Sequence, residues 1–383
     1  MHTLPVAIGA QLSAGFTAIL VLLTAGMTSA QERVTPKESK GGSVIGTMWE
    51  DVPEGFRGIK FPDWPVPTDL KKWTTTDRTA TRATLLKLLG EMPARPDPKS
   101  IKILSREKHD GYTLEKFEFH NGVDSMVPGI LLIPDGLKGP APTIIGLHGH
   151  NSSKETICTD ETKPQYIGPI LAKKGYVVAA IDAYFNGERI GQGPRGKRED
   201  KIAQESSLVK LNLWLGRTLW GMMLRDEQCL LDYLETRSEV DKKRIAATGM
   251  SMGCVRASWL TAIDDRIHSH VGVCCFTRYM NLIAHGRLNS HASYFYVPGM
   301  LAHFDTEALY ALCAPRPMLM LSGDEDGVAP VSGVEVLERK LAKTYSLYDK
   351  PKNFRSVIYK GTGHEYLPEM KAEMIAWFEQ HLR

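Results

Sequence analysis

The sequence predicts an α/β fold: a mainly parallel central sheet with helices on both faces and an antiparallel opening. Three observations carry this. From residue 143 to the C terminus, short apolar runs alternate with helical patterns, the rhythm of parallel strands joined by crossover helices. Ahead of them stand three strand-like runs at residues 101–105, 112–119 and 127–133, separated by Asp110-Gly111 and Asn121-Gly122 and followed by Pro134-Asp135-Gly136, which are turn signals between antiparallel neighbours. In the middle, the apolar run 245–248 leads into Gly249-Met250-Ser251-Met252-Gly253, and a helical pattern follows from Cys254. Strand, Gly-x-Ser-x-Gly and helix in that order spell a sharp turn that lifts a serine clear of a sheet.

Taken in order, residues 31–46 are polar and rich in Gly, Ser and Lys and read as an arm. Three prolines between Phe61 and Pro67 force an extended segment, and residues 76–89 form an amphipathic helix that stops at Gly90 and Pro93. The organisation read from this is a leader at 1–30, an arm and short helix at 31–100 packed on the core, and a main domain at 101–383. Within the domain, strands are expected at 143–147, 176–181, 268–274, 317–321 and 356–359, and helices at 165–174, 331–343 and 368–382, with one long helical region through 208–235. Residues 276–315 interrupt the rhythm and are rich in aromatic residues and His. An insertion after a strand's carboxyl end can roof a crevice or simply pack.

Composition bounds the function. The chain has 383 residues, is 43% hydrophobic and 24% charged, and carries a formal net charge of +3, which suits an ordinary globular protein and excludes disordered and fibrous classes. No long Lys/Arg block occurs, so no nucleic-acid partner is expected, and the cluster Arg195, Lys197, Arg198, Lys201 is offset by Glu199 and Asp200. Residues 1–30 lack Asp, Glu, Lys and Arg, hold an apolar run at 14–25 and end in Thr28-Ser29-Ala30. This reads as an export signal and places the protein in the periplasm or outside the cell, off the membrane once the leader is cleaved. His2 stands where Lys or Arg is usual, so an uncleaved anchor is the alternative. The six cysteines show no Cys-x-x-Cys spacing and read as small buried hydrophobes, with one bridge between Cys254 and Cys274 or Cys275 left open.

A serine hydroxyl needs a histidine to take its proton and a carboxylate to orient that histidine. His364 stands in Gly361-Thr362-Gly363-His364, just beyond the final strand. The acid lies in Gly323-Asp324-Glu325-Asp326, also beyond a strand; Asp326, third after the glycine, is favoured over Asp324 and Glu325. The oxyanion of a tetrahedral intermediate needs preorganised donors, expected from the backbone N–H of Met252 and from that of His150 in Leu147-His148-Gly149-His150-Asn151. His148-x-His150 and His268-x-His270 also have the alternation of metal ligands, but neither has strong further ligands beside it, and no cofactor is expected.

These residues carry a resemblance. His148-Gly149-His150-Asn151-Ser152-Ser153-Lys154-Glu155, Val240-Asp241-x-x-Arg244-Ile245, Gly249-Met250-Ser251-Met252-Gly253, Ala314-Pro315-Arg316-Pro317 and Gly361-x-Gly363-His364 resemble the α/β-hydrolase superfamily, specifically its dienelactone-hydrolase and acetylxylan-esterase-like serine esterases. The resemblance covers roughly residues 101–383, and the chain order Ser, Asp, His agrees with it. Two departures are Cys254, where a second Gly is common, and Ser251, where dienelactone hydrolases proper use Cys. Met252 differs from the Arg of glucuronoyl esterases.

The resemblance implies a serine carboxylesterase that forms an acyl-enzyme on Ser251 and acts on a small-molecule or carbohydrate ester. A serine peptidase of the prolyl-oligopeptidase type is the second enzyme reading, although about 70 residues of arm and helix cannot build that family's propeller. A non-catalytic binding protein on the same fold is the third. Arg278 reads as a structural ion pair before a substrate clamp, and residues 182–189 as part of a pocket rim. Oligomeric state is not assigned.

Overall fold

The computed structural model describes residues 53–57 and 59–383, all of which fall in one compact unit. The leader assigned to 1–30 and the arm at 31–46 lie outside the described residues. The strands are β1 (Lys102–His109), β2 (Tyr112–His120), β3 (Met126–Pro134), β4 (Ala141–Leu147), β5 (Val177–Ile181), β6 (Val240–Met250), β7 (Ile267–Val273), β8 (Met318–Gly323) and β9 (Phe354–Tyr359). They form a nine-stranded sheet in the order β1-β2-β3-β5-β4-β6-β7-β8-β9. The pairs β1/β2, β2/β3 and β3/β5 are antiparallel, and every pair from β5 through β9 is parallel. The carboxyl ends of β4 to β9 therefore share one edge, where an open α/β sheet binds its ligands.

Helices α1 (Arg78–Leu89), α2 (Lys154–Cys158), α3 (Gly168–Lys173), α4 (Lys201–Trp214), α5 (Leu219–Leu234), α6 (Met252–Ile263), α7 (Thr306–Cys313), α8 (Val331–Leu347) and α9 (Pro368–Leu382) surround the sheet. Successive strand residues point to opposite faces. Ile144, Val178, Ala246 and Leu319 meet Leu171 of α3 and Met370 and Phe378 of α9 on one side. Ile145, Val177 and Ala247 meet Leu230 and Leu234 of α5 and Leu260 of α6 on the other. Burial on both faces is why these strands read as continuous apolar runs rather than alternating ones.

Two departures from the sequence expectation have local causes, and one open alternative is resolved. The helical region expected through 208–235 is two helices: Gly216 turns the chain at φ 70°, a conformation that costs glycine nothing, and Thr218 Oγ1 caps α5 by accepting the Gly221 N–H at 3.0 Å. Strand β1 runs past residue 105 to His109 as an exposed edge strand that shows the solvent nearly every side chain, so it carries no alternating pattern to read. The insertion 276–315, expected to roof a crevice or to pack, does both: residues 290–292, 294 and 295 line a cavity, and much of the rest joins the core. All eight residues of α7 are buried, and each buried leucine there contributes roughly 1.5–3 kcal/mol. The N-terminal helix α1 joins the same core through Leu85 and Leu89, and Arg82 forks onto Asp265 at 2.7 and 2.6 Å.

Candidate active site

Ser251 sits between the last residue of β6 and the first of α6, at φ 60°, ψ −122°, a strained backbone for a residue with a side chain. The glycines around it are set by contact. A Cβ on Gly253 would lie 1.9 Å from the Leu147 carbonyl oxygen, and one on Gly249 would lie 2.3 Å from the same atom. The end of β4 thus presses directly on the elbow. On the other side, Ser251 donates its N–H to Val273 O at 2.9 Å. Cys254, the departure from the usual glycine, is fully buried and has its room because position 272 is glycine: a Cβ there would meet the Cys254 sulfur at 2.6 Å.

The loops after β8 and β9 bring Asp326 and His364 together, with Asp326 Oδ2 2.9 Å from His364 Nδ1. The Asp326 side chain is 0% exposed, and its Oδ1 accepts the N–H of Val328 at 2.8 Å and of Ala329 at 3.3 Å. Because the carboxylate accepts, His364 carries its proton on Nδ1 and leaves Nε2 as a base. Asp324 points elsewhere: its Oδ1 takes the Thr362 N–H at 3.4 Å. Glu325 is tied through its backbone N–H to Thr362 O at 3.0 Å. Cys274 also stands near this pair, its sulfur, the Asp326 carboxylate and the His364 imidazole lying within 4.8 Å of one another, with the thiol donating to Glu365 O at 3.5 Å.

Ser251, Met252, His150 and His364 line one cavity of about 200 Å³, together with Cys275, His291, Tyr294 and Phe295. The N–H groups of Met252 and His150 have no acceptor among the described residues. Met252 opens α6, so its N–H is one of the unpaired donors at a helix start, where a developing negative charge is favoured. His150 follows the end of β4, held in place by its neighbours. His148 is buried and uses both ring nitrogens, Nδ1 against Gly149 O at 2.8 Å and Nε2 accepting the Ala183 N–H at 3.0 Å. Burial first, then the Arg256 charge, push its pKa well below the ordinary value. Arg256 of α6 donates to His148 O at 3.3 Å and pairs with Glu227 of α5. His148 is thereby spoken for, and the His148-x-His150 pair is not a ligand set.

Other expectations resolve in the interior. Residues 182–189 do not form a rim: Asp182 is wholly buried and takes the Lys154 N–H and Nζ, both at 2.9 Å, and the Glu188 N–H at 3.0 Å. Arg189 is buried against Asp226 at 2.8 Å. Together they fasten the loop after β5 to the loop after β4. Arg278 is an ion pair, with Glu307 at 3.0 and 3.1 Å. All six cysteines are free and buried, so the Cys254 bridge is not formed; the Cys275 thiol lies 4.0 Å from Ser251 Oγ, and burial pushes its pKa up. One pocket feature went unread in the sequence, the His150 side chain with its partner Glu205, whereas His291 lies in the insertion expected to roof a crevice and lines the cavity. Only the His and acid identities of the His150–Glu205 pair could have flagged it.

Comparison with known proteins agrees with this architecture. YtaP of Bacillus subtilis (strain 168), named provisionally as a hydrolase, is 32% identical over 311 residues, covering 80% of this chain and 100% of YtaP. A Bacteroides fragilis protein named provisionally as an acetyl xylan esterase superposes with a TM-score of 0.63 at 20% identity, over 85% of this chain and 87% of that one. A glucuronoyl esterase of Solibacter usitatus gives a TM-score of 0.63 at 17% identity, over 85% and 99%. At such identities the two structures speak for the fold alone. The Abhydrolase family model, Abhydrolase_7, matches residues 39–360, and the chain belongs to that family of α/β hydrolases.

Proposed function

We propose that the protein is a serine carboxylesterase, with Ser251 as nucleophile, His364 as general base and acid, Asp326 as the orienting carboxylate, and the N–H groups of Met252 and His150 as the oxyanion hole. The observation that carries this reading is a half-buried His364, held by the buried carboxylate of Asp326, opening onto the same cavity as a serine on a strained elbow. His364 Nε2 takes the Ser251 proton as Oγ attacks the ester carbonyl. The two N–H groups receive the charge that develops on the carbonyl oxygen, each worth on the order of 3 kcal/mol in the transition state. The imidazolium then protonates the departing alcohol, and a water activated by the same nitrogen releases the acid from Ser251.

A cavity of about 200 Å³ supports a short acyl group, acetyl above all. The relatives named for acetyl xylan and glucuronoyl esters support a carbohydrate as the alcohol, and Met252, in place of the arginine of glucuronoyl esterases, favours the acetyl ester of the two. Export through residues 1–30 belongs to the same proposal, since a polymer substrate lies outside the cell.

The test compares the protein with Ser251→Ala on short and long acyl esters, acetylated xylan and a peptide amide. We expect ester hydrolysis, steepest for acetyl esters, to fall by at least about a thousand-fold in the variant. Undiminished ester hydrolysis by Ser251→Ala refutes the mechanism, and faster cleavage of the amide than of the esters points to the peptidase reading instead.

A further inference from the structure

The cavity holds more imidazole than acyl transfer uses. Besides His364, His150 and His291 line it, and each ring has one nitrogen committed to the protein. His150 Nε2 lies 3.2 Å from Glu205 Oε2, and His291 Nε2 lies 2.8 Å from Val328 O. Carboxylates and carbonyls accept, so the neutral form of each ring carries its proton on Nε2 and presents Nδ1 as an acceptor. Neither Nδ1 has a partner among the described residues.

Both rings are held in place. Glu205, on α4, is 6% exposed, and its other oxygen accepts the Tyr294 N–H at 3.4 Å. The His150 ring stands against Phe185 at 6.0 Å and Tyr294 at 5.2 Å between centroids. His291 stacks on Phe295 at 4.3 Å, and burial pushes its pKa below the ordinary value, which keeps the acceptor form. Two fixed acceptors on an aromatic wall match a ligand that presents hydroxyl donors from an apolar ring face.

We infer that His150 and His291 recognise free hydroxyl groups on the alcohol portion of the ester, so that the enzyme prefers partly acylated sugars to esters of apolar alcohols. This rests on the assignment of Ser251 as nucleophile. Glu205 is a positioning residue that fixes the His150 tautomer.

The test uses kcat/KM for a methyl xyloside monoacetate with free neighbouring hydroxyls, its per-acetylated and deoxy counterparts, and ethyl acetate. His150→Phe and His291→Phe keep ring volume and delete the acceptor. In each variant the ratio of monoacetate to ethyl acetate should fall about five- to ten-fold, the worth of one hydrogen bond; any effect on the His150 backbone donor cancels in that ratio. The wild-type protein needs no folding control and should lose a similar factor on the deoxy sugar. An unchanged ratio in both variants, or equal rates on monoacetate and deoxy sugar, overturns the inference. Ser251→Ala on ethyl acetate separates the two readings: loss there with unchanged ratios refutes only this inference, whereas retained activity refutes the nucleophile.

Discussion

Replacing Asp326 by Asn changes one atom's hydrogen-bonding sense at the centre of the proposed triad. The buried side chain has three fixed contacts, two of them backbone N–H donors to Oδ1 and the third His364 Nδ1 at 2.9 Å from Oδ2. Asn can keep its oxygen on the N–H groups of Val328 and Ala329, which forces its amide NH2 toward His364. An NH2 donates, so the ring must accept at Nδ1 and carry its proton on Nε2, the nitrogen that should deprotonate Ser251. The folded structure survives while the base is lost. We expect kcat to fall about 10³- to 10⁴-fold with little change in KM, or ~4–5.5 kcal/mol in the barrier. Asp324→Asn disturbs only a 3.4 Å contact to the Thr362 N–H and should cost less than about threefold, in keeping with the worth of one weak hydrogen bond. Steady-state hydrolysis of p-nitrophenyl acetate, with thermal unfolding as the control, reads both. A larger loss in Asp324→Asn, or an Asp326→Asn enzyme within tenfold of wild type at unchanged Tm, refutes the assignment.

Two further outcomes test what supports the site. Lys154→Met leaves Asp182, 0% exposed, without the ammonium that lies 2.9 Å away; stranding that charge should cost about 3–5 kcal/mol in urea unfolding, and equal stability would show that the pair is dispensable. Asp265 is held below the usual carboxylate range, first by its hydrogen bond to Arg82 and, against the opposing cost of burial, by the coulombic pull of Arg82, Arg316 and Arg78. A depressed folded pKa stabilises the fold above the unfolded value and loses that support as pH falls through it. The Tm gap between wild type and Asp265→Asn should therefore be largest near neutral pH and close below about pH 4, and it should shrink with salt because the carboxylate is 62% exposed. A gap that widens on acidification contradicts the sign.

Much of the sheet was legible because burial on both faces leaves an unmistakable residue pattern: the runs around Ile144, Val178 and Ile245 could be little else. The elbow and its proposed partners were legible for a related reason, since Asp326 and His364 follow β8 and β9 in glycine-bearing loops. What escaped depends on contacts between distant residues. Gly216 ends a helix through its φ, yet a lone glycine in a helical pattern does not announce a break. Asp182 to Arg189 is polar enough to pass for a surface rim, and only Lys154 and Asp226 make it an interior joint. Nothing local distinguishes the His150 ring, aimed at Glu205, from that of His148, consumed by its own backbone.

The contact between the Leu147 carbonyl and Gly253 separates chemistry from recognition. It joins main chain to main chain, so the spacing between the Ser251 elbow and the loop that presents the His150 N–H does not depend on any side chain that selection for a new substrate would alter. Residues 276–315, which supply His291, Tyr294 and Phe295 to the cavity, share no such contact with the elbow glycines. Variation there can exchange one ester for another while the reacting atoms keep their distances. A library confined to the cavity-lining residues 290–292, 294 and 295 should therefore yield changed preferences at roughly conserved turnover, whereas one spread over 147–149 and 249–253 should yield mostly inactive chains.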